Sequence, residues 1–158
     1  MLSRVDELTQ SLQDYISAFL NGAGYSSLYE FEDVYPQDRQ SPLDKTIVVL
    51  GHDQSESIVD GELGGPFTFE PITYICDVLG SDHRMGRNIA SLLKEKLESG
   101  EPIPLNDYSN NTPVEVDRIP YVEGAIHSRL RFPSPKIWQQ HWNVVTFTIT
   151  LEYNRSYL

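Results

Sequence analysis

The segment "HWNVVTFTITLEYNRSYL", residues 141–158, carries the clearest structural pattern in the chain. Alternate side chains in its middle are apolar, and those between them are mostly threonine: Val145, Phe147, Ile149, Leu151 and Tyr153 against Val144, Thr146, Thr148, Thr150 and Glu152. Alternation with period two is typical of a strand with one buried face. We therefore predict a central strand here, with its apolar face packed on the rest of the protein and its threonine face half-exposed.

Two amphipathic helices are predicted to cover that apolar face. The first spans residues 3–21, where apolar side chains recur at steps of three and four: Val5, Leu8, Leu12, Ile16, Phe19 and Leu20. The second spans residues 82–99, with Asp82 as its N-cap, Gly100 as its C-cap and a similar stripe: Met85, Ile89, Leu92, Leu93 and Leu97. Both helices are expected to lie on one face of a sheet.

Three further strands are predicted before the second helix, at residues 27–35, 46–50 and 67–79. Pro71 within the last of these indicates an edge position, a bulge or a bend. Short connections between the three favour an antiparallel meander. The fold class predicted for the single domain of residues 1–158 is therefore α+β, with a mainly antiparallel sheet and two helices packed on one face.

The stretch between the second helix and the final strand is harder to assign. Residues 101–113 contain several prolines and polar residues, and we predict an irregular connection there. Residues 114–132 are expected to hold one or two short strands interrupted by Pro120. A polar excursion is predicted at residues 131–142, and another at residues 53–65, which has the composition of a hairpin tip with glycine punctuation.

Composition excludes several classes of protein. An apolar fraction of 39% excludes wholesale disorder. The single cysteine, Cys76, cannot form an internal disulfide, and it is predicted to be a small core residue of a protein in a reducing compartment. No apolar run of about 18 residues predicts a membrane span, and the acids and glutamines of residues 1–20 do not fit a signal peptide.

The charge distribution points to partners. A formal charge of −11 argues against a general nucleic-acid binder. Residues 1–65 have a net charge of −9 and residues 66–158 a net charge of −2, yet residues 118–136 carry +3. Such a molecule can be complementary to a copy of itself. The alternative is a solvated surface that provides solubility.

The sequence contains only weak candidates for catalytic, cofactor-binding or metal-binding sites. His52 and Asp53 are a candidate acid–base pair at the end of a strand, and the alternative is that they are ordinary loop residues. The segment "DQSESIVDGE" does not place its oxygen ligands at the positions that a calcium loop requires. His83, His127 and His141 are scattered along the sequence, without the spacing of a metal site. The segment "GSDHRMGRN" lies where a helix start can hold phosphate, but the helix needs a cap there in any case. We therefore nominate no catalytic, cofactor or metal residues.

With its elements placed, the chain resembles the tail-terminator (tail-completion) proteins of long-tailed bacteriophages. The resemblance lies in the order of the elements and in several segments: the helix of residues 3–21, then "LYEFEDVYP", "TIVVLGHD", the hairpin "QSESIVDGELGGP", "FTFEPITYICDVLGS", the helix "NIASLLKEKLES" and "WNVVTFTITLEYN". The stretch 101–142 departs most from the family layout.

The resemblance implies a structural virion protein without catalytic residues or cofactor. Such proteins form a ring, usually hexameric, on the head-proximal end of the tail tube, where they stop tube polymerisation and present a docking surface to the head-completion or connector protein. DNA passes through the ring without specific binding, no membrane is involved, and assembly takes place in the host cytoplasm. Two other interpretations remain open: a different neck or head-completion component, and an unrelated small intracellular enzyme or ligand-binding domain.

A ring joins two different patches of each subunit. We expect the acidic loop at 53–62 to contact the basic stretch 118–136 of the next subunit, through the residues Glu56, Asp60, Glu62, Arg118, Arg129, Arg131 and Lys136. Large apolar side chains in or beside the second excursion, namely Ile137, Trp138 and Trp142, are expected to add contact area, because tryptophan is favoured at interface hot spots.

Overall fold

The computed structural model describes residues 4–32, 43–52, 59–60, 67–119, 122–130 and 141–154. They form two helices, α1 (Arg4–Gly22) and α2 (His83–Glu98). The eight strands among them are β1 (Tyr29–Phe31), β2 (Thr46–His52), β3 (Val59–Asp60), β4 (Phe67–Leu79), β5 (Ile103–Asp107), β6 (Val114–Ile119), β7 (Glu123–Arg129) and β8 (Trp142–Asn154). The α+β fold predicted from the sequence is confirmed.

The main sheet has the strand order β1-β2-β4-β8-β7, and β3 pairs with the far end of β4. Strand β8 lies inside the sheet, antiparallel to β4 along its whole length and to β7 on its other side. Tyr74 of β4 stands opposite Phe147 of β8, and their rings stack with centroids 5.5 Å apart. The central position predicted for the last strand is therefore confirmed. Strands β5 and β6 form a separate two-stranded sheet.

Both helices pack on the same face of this sheet, as predicted. The core that they enclose includes the alternate residues Val145, Phe147 and Ile149 of β8, all at most 1% exposed. Leu8, Leu12, Ile16 and Leu20 of α1 and Ile89, Leu93 and Leu97 of α2 belong to the same cluster. On the other face of β8, Thr146 and Thr148 are half-buried and Thr150 is exposed. The side chain of Leu151, predicted to face the core, lies outside the described residues.

Cys76 is fully buried in the core, in agreement with the prediction from its apolar surroundings. Burial, and secondarily the charge of Asp77, raises the pKa of the Cys76 thiol to about 12. Since the thiolate is the reactive form, this cysteine is chemically inert at neutral pH.

The predicted meander is wrong at its first strand, because β1 runs parallel to β2. A parallel pair needs a crossover of about a dozen residues or more, and residues 32–45 are long enough to supply it. The short separation of the two segments in the sequence favours an antiparallel connection instead. The strand is also shorter than predicted, since it begins at Tyr29, and residues 33–35 lie outside the described residues.

The prediction of an irregular connection at residues 101–113 is also wrong in part. Residues Ile103–Asp107 form β5, which pairs with β6. Ile103 and Leu105 alternate with the half-buried Pro104 and Asn106, and both belong to the main core, where β5 contacts α1. Pro104 between them obscured this pattern in the sequence, although a proline is tolerated in a strand at a sheet edge.

Pro71 lies within β4, which is an interior strand of the sheet and not an edge. Its position nevertheless has a local reason. The residues of β4 that pair with β2 are 74–79, and those that pair with β3 are 68–69. Pro71 falls in the gap between the two, where β4 has β8 as its described neighbour.

Helix α2 begins at the predicted N-cap, but its C-cap is Ser99 and not Gly100 as predicted. The carboxylate of Asp82 accepts a hydrogen bond from the Met85 backbone N–H at 2.8 Å, which is an N-cap. At the other end, Ser99 is the C-cap, and Gly100 follows it with a φ of +77°, a left-handed conformation that favours glycine.

Candidate interaction surfaces

The two edges of the main sheet differ in charge. On the β1 side, Glu30 and Glu32 stand on or beside the edge strand, and Asp44 precedes β2. We call these three residues the acidic edge. A surface cleft of about 140 Å³ opens there, lined by Glu30, Leu43, Asp44, Lys45 and Ile47. Leu43 and Ile47 are buried, and the other three lining residues are two acids and a lysine.

The opposite end of the sheet carries cations. Strand β7 is the other edge, and α2 packs across β7 and β8. Three arginines and three histidines lie on the elements that meet here: Arg84 and Arg87 of α2, Arg129 at the end of β7, and His83, His127 and His141. We call this group the basic corner. Arg84, Arg87 and Arg129 are all exposed.

The histidines of the basic corner were predicted to be scattered, and the fold corrects this. The rings of His83 and His141 have centroids 6.3 Å apart. The amide of Asn143 donates to the His141 backbone oxygen at 3.1 Å, and its Oδ1 lies 2.9 Å from His127 Nε2. Because that amide oxygen can only accept, His127 Nε2 carries the proton. Three distant sequence positions therefore meet at one corner through the end of β8.

His141 is held in an environment that favours its neutral form. Burial, and then the positive charges of Arg129 and His83, lowers the pKa of His141, while Asp82 opposes the shift. Its Nδ1 atom is buried and has no hydrogen-bond partner among the residues that the structure describes. Protonation of the His141 ring would place a positive charge beside cations that are already there. The charge repulsion within the basic corner therefore depends on pH.

Two glycines allow α2 to approach the sheet closely at this corner. A Cβ on Gly86 would lie 2.9 Å from the His141 backbone oxygen and 3.0 Å from the Gly80 Cα. The Gly80 backbone N–H in turn donates to the His141 oxygen at 3.2 Å. Gly86 is therefore required for this contact.

Most of the predicted interface residues lie outside the described residues: Glu56, Glu62, Arg131, Lys136 and Trp138, together with Ile137. Asp60 is placed in β3 by its backbone only. Arg118 and Arg129 are described, and they belong to different sheets. Arg129 lies in the basic corner, whereas Arg118 on β6 is bound by Glu115 of its own strand.

Trp142 contributes to the fold, although we had grouped it with the interface residues. Its indole Nε1 donates to the Asp77 carboxylate at 2.7 Å. Its ring packs on a second small apolar cluster, on the face of the sheet away from the helices, formed by Leu43, Ile47, Val49 and Leu79.

The candidates for chemistry gain no support as sites. The ring of His52 packs near Tyr74, with centroids 5.8 Å apart, and its predicted partner Asp53 lies outside the described residues, as does most of the calcium-like loop. At "GSDHRMGRN" the Asp82 side chain itself caps the helix. Across the described ranges, no three histidine, cysteine or acidic side chains are grouped to hold a metal, and no helix there is long and apolar enough to span a membrane.

The sequence contains local signals for both surfaces. His83 and Arg87 are four residues apart on α2 and therefore lie on one helix face, with Arg84 beside them. Glu30 and Glu32 alternate along the first strand and therefore project to the same side of it.

Exposed apolar side chains are concentrated on the strands that follow α2. Val114 and Val116 on β6 are 54% and 50% exposed, and Ile126 on β7 is 63% exposed. Comparison with known proteins adds no assignment for these surfaces. The chain matches no protein-family model, and no curated protein matches it.

Proposed function

We propose that this protein is a structural virion protein, a tail terminator that forms a ring on the head-proximal end of a bacteriophage tail tube. The observation that carries the proposal is the order and placement of the elements. The chain has, in order, an N-terminal helix, an aromatic strand, an apolar strand, a hairpin, a second helix and a long terminal strand. These strands belong to one sheet, and both helices pack on one of its faces. This is the layout on which the family resemblance rests.

The distribution of charge supports ring formation. A closed ring is heterologous, since each subunit uses one patch toward the subunit before it and another toward the subunit after it. The acidic edge and the basic corner lie at opposite edges of the same sheet and carry opposite charge. Two unlike patches on one subunit are what head-to-tail association needs.

The exposed apolar side chains and the net charge also fit the partners that a tail terminator binds. The ring would bind the tail tube protein on one side and the head-completion or connector protein on the other, within the virion neck. The exposed valines of β6 and Ile126 of β7 offer apolar contact area. A net charge of −11 would keep DNA from binding while it passes through the lumen.

Assembly of the tail tube in vitro tests the proposal. The tube protein of the same virus polymerises with or without this protein, and the products are imaged by negative-stain electron microscopy. We expect short tubes with a ring at one end when the protein is present, and native mass spectrometry should give one copy number for that ring.

Tubes that grow to the same length with and without the protein, and that carry no ring, would contradict this function. Binding to the connector in the absence of any effect on tubes would favour another neck component instead. A protein that binds neither would leave the proposal without support.

A further inference from the structure

Strand β7 brings its basic end to the side of the sheet that α2 covers. Arg129 stands opposite Asn143 of β8 in the ladder, and His127 stands opposite Val145. Val145 belongs to the core beneath the helices. A Cβ on Gly86 of α2 would lie 3.2 Å from the side-chain nitrogen of Asn143. Because residues paired across two strands project to the same face, Arg129 emerges on the helix side of the sheet.

The positive groups of the basic corner act on one another. Burial, and then the positive charges of Arg129 and His83, lowers the pKa of His141, so both groups lie within electrostatic range of that ring. The rings of His83 and His141 have centroids 6.3 Å apart. Arg87 follows the exposed His83 by four residues, which places it one turn further along the same flank of α2. α2, β7 and β8 thus direct positive charge to one part of the surface.

The arginines of α2 stand where a helix favours acids. The N-terminal end of a helix carries a partial positive charge, so basic side chains near it lower the stability of the helix. The first turn of α2 nevertheless holds no acid, and Arg84 and Arg87 lie in its first two turns, in a chain with 23 acidic residues against 12 lysines and arginines. Farther along the helix, where bases are tolerated, Lys94 and Lys96 each pair with a glutamate. Local placement that opposes stability is typical of a functional surface.

The charge of these two arginines is not neutralised within the part of the chain that the structure describes. No carboxylate there pairs with Arg84 or Arg87, and the nearby Asp82 is used as the helix cap. The buried Nδ1 atom of His141 also has no hydrogen-bond partner among the described residues. The corner therefore combines excess positive charge with an unsatisfied polar atom, and an anionic partner would offset the charge.

A short acidic protein segment fits this surface better than nucleic acid does. Binding of a nucleic acid depends on neutralising many phosphates along a strand, and a chain with a net charge of −11 repels such a long polyanion. A few carboxylates can reach the corner without lying along the rest of the acidic surface. Guanidinium groups bind carboxylates through paired hydrogen bonds, which gives the contact a defined geometry.

We propose that the basic corner binds an acidic segment of another protein, whose carboxylates pair with Arg84 and Arg87, while Arg129 and His83 add positive charge. The contact goes beyond the proposed function. It gives the corner a partner other than the next subunit, and it does not depend on an action at tail tubes.

A fluorescently labelled hexaglutamate peptide serves as the probe, and fluorescence anisotropy measures its binding. The wild type should bind the peptide at low salt, salt should weaken the binding, and a hexalysine peptide should not bind. The Arg84→Glu, Arg87→Glu variant should bind hexaglutamate about tenfold or more weakly. Arg84→Gln with Arg87→Gln, which removes the charges without reversing them, should have an intermediate affinity.

Two controls locate the binding site. Lys94→Glu makes the same kind of charge change about two turns further along α2, where Lys94 pairs with Glu98, and it should bind hexaglutamate as the wild type does. The nuclear magnetic resonance signals of the His83 and His141 rings should move when the peptide is added. The signal of His52, which lies on β2 outside the corner, should not move.

Thermal unfolding separates a binding role of the arginines from a structural one. Glutamates near the start of a helix interact favourably with its N-terminal partial charge. The Arg84→Glu, Arg87→Glu variant should therefore unfold at the same temperature as the wild type or a higher one, although it loses the peptide. Arginines that serve the fold would give a variant that unfolds at a lower temperature, and that result would overturn the proposal.

Several binding results would also overturn it. The wild type would fail to bind hexaglutamate at low salt, or the arginine variant would bind it as tightly as the wild type. Tighter binding of inorganic phosphate or of a short DNA duplex would make the corner a site for phosphate or nucleic acid. Self-association that depends on Arg84 and Arg87, without binding of the peptide, would make it a contact between copies.

The contact and the proposed function fail in distinguishable ways. Binding of hexaglutamate by a protein that has no effect on tail tubes supports the contact and removes the terminator role. Tubes that are capped normally by a protein that does not bind the peptide support the role and remove the contact.

Discussion

The two faces of the main sheet are formed by the same strands but have different roles. On the face toward the helices, alternate residues of β4 and β8 are almost fully buried in one continuous core. On the other face, the described residues form a small apolar cluster around Trp142, and Thr146, Thr148 and Thr150 of β8 are half-buried or exposed. The side chain of Ile75 on that face is 40% exposed.

This contrast separates the residues that hold the fold from those free to meet a partner. Burial of apolar area stabilises the helix-covered face, and a substitution there leaves a cavity. The open face contributes less to the free energy of folding, so its sequence can change with function. Substitutions on each face locate the boundary between these two groups of residues.

The largest effect is expected on the helix-covered face. Ile149→Ala should lower the free energy of unfolding by about 2–5 kcal/mol, because Ile149 is fully buried and its truncation leaves a cavity. The control is the neighbouring Thr148→Ala on the open face, expected to cost less than about 1 kcal/mol. Chemical denaturation measures both. Equal losses would mean that the two faces do not differ as described.

Trp142 tests the small cluster on the open face. Trp142→Phe removes the indole donor from the Asp77 carboxylate and should cost about 1–3 kcal/mol. Asp77→Asn keeps an acceptor oxygen at the same place and should cost less. If the two variants unfold at the same denaturant concentration, the hydrogen bond is not what stabilises this end of the sheet.

Gly86 tests how closely α2 must approach the covered face. An alanine there would press its Cβ on the His141 backbone, which costs about 1–3 kcal/mol and is partly offset by about 1 kcal/mol of helix propensity. Thermal unfolding should show a net loss for Gly86→Ala. Gly22→Ala, at the open end of α1 with nothing near its Cβ, should be neutral or stabilising. A stabilised Gly86→Ala protein would refute the close contact.

The smallest effect is a pH dependence of stability from the basic corner. The lowered pKa of His141 means that its neutral form is favoured in the folded state. Its contribution is present above the ordinary histidine value of 6.5 and is lost as pH falls through the lower folded value. The groups that act on it are Arg129, His83 and Asp82.

Denaturation between pH 7.5 and pH 5 (about one unit either side of the ordinary histidine value) measures this loss. His141→Gln should flatten the acid side of the curve, whereas His52→Gln, outside the corner, should not. An unchanged slope in the His141 variant would assign the pH dependence to other groups.

Local sequence patterns determined much of this fold. The period-two alternation of residues 144–153 predicted β8 and its buried face, and the three- and four-residue spacing of apolar side chains predicted both helices. Asp82 and Gly100 marked the ends of α2 correctly to within a residue. These features are predictable because the residues that make them are neighbours along the chain, so hydrogen bonding and burial periodicity act within each segment.

Tertiary structure alone decided the pairing of short segments and the composition of the surfaces. β1 is three residues long, and β5 is interrupted by Pro104, so neither has a local pattern strong enough to choose its partner. Their pairing depends on contacts with distant residues that become available only when the core forms. The basic corner has the same origin, because His83, His127 and His141 meet only where the end of β8 brings three separate elements together. The sequence by itself thus determined the elements and their buried faces, and only the folded chain decided which edges and side chains stand side by side.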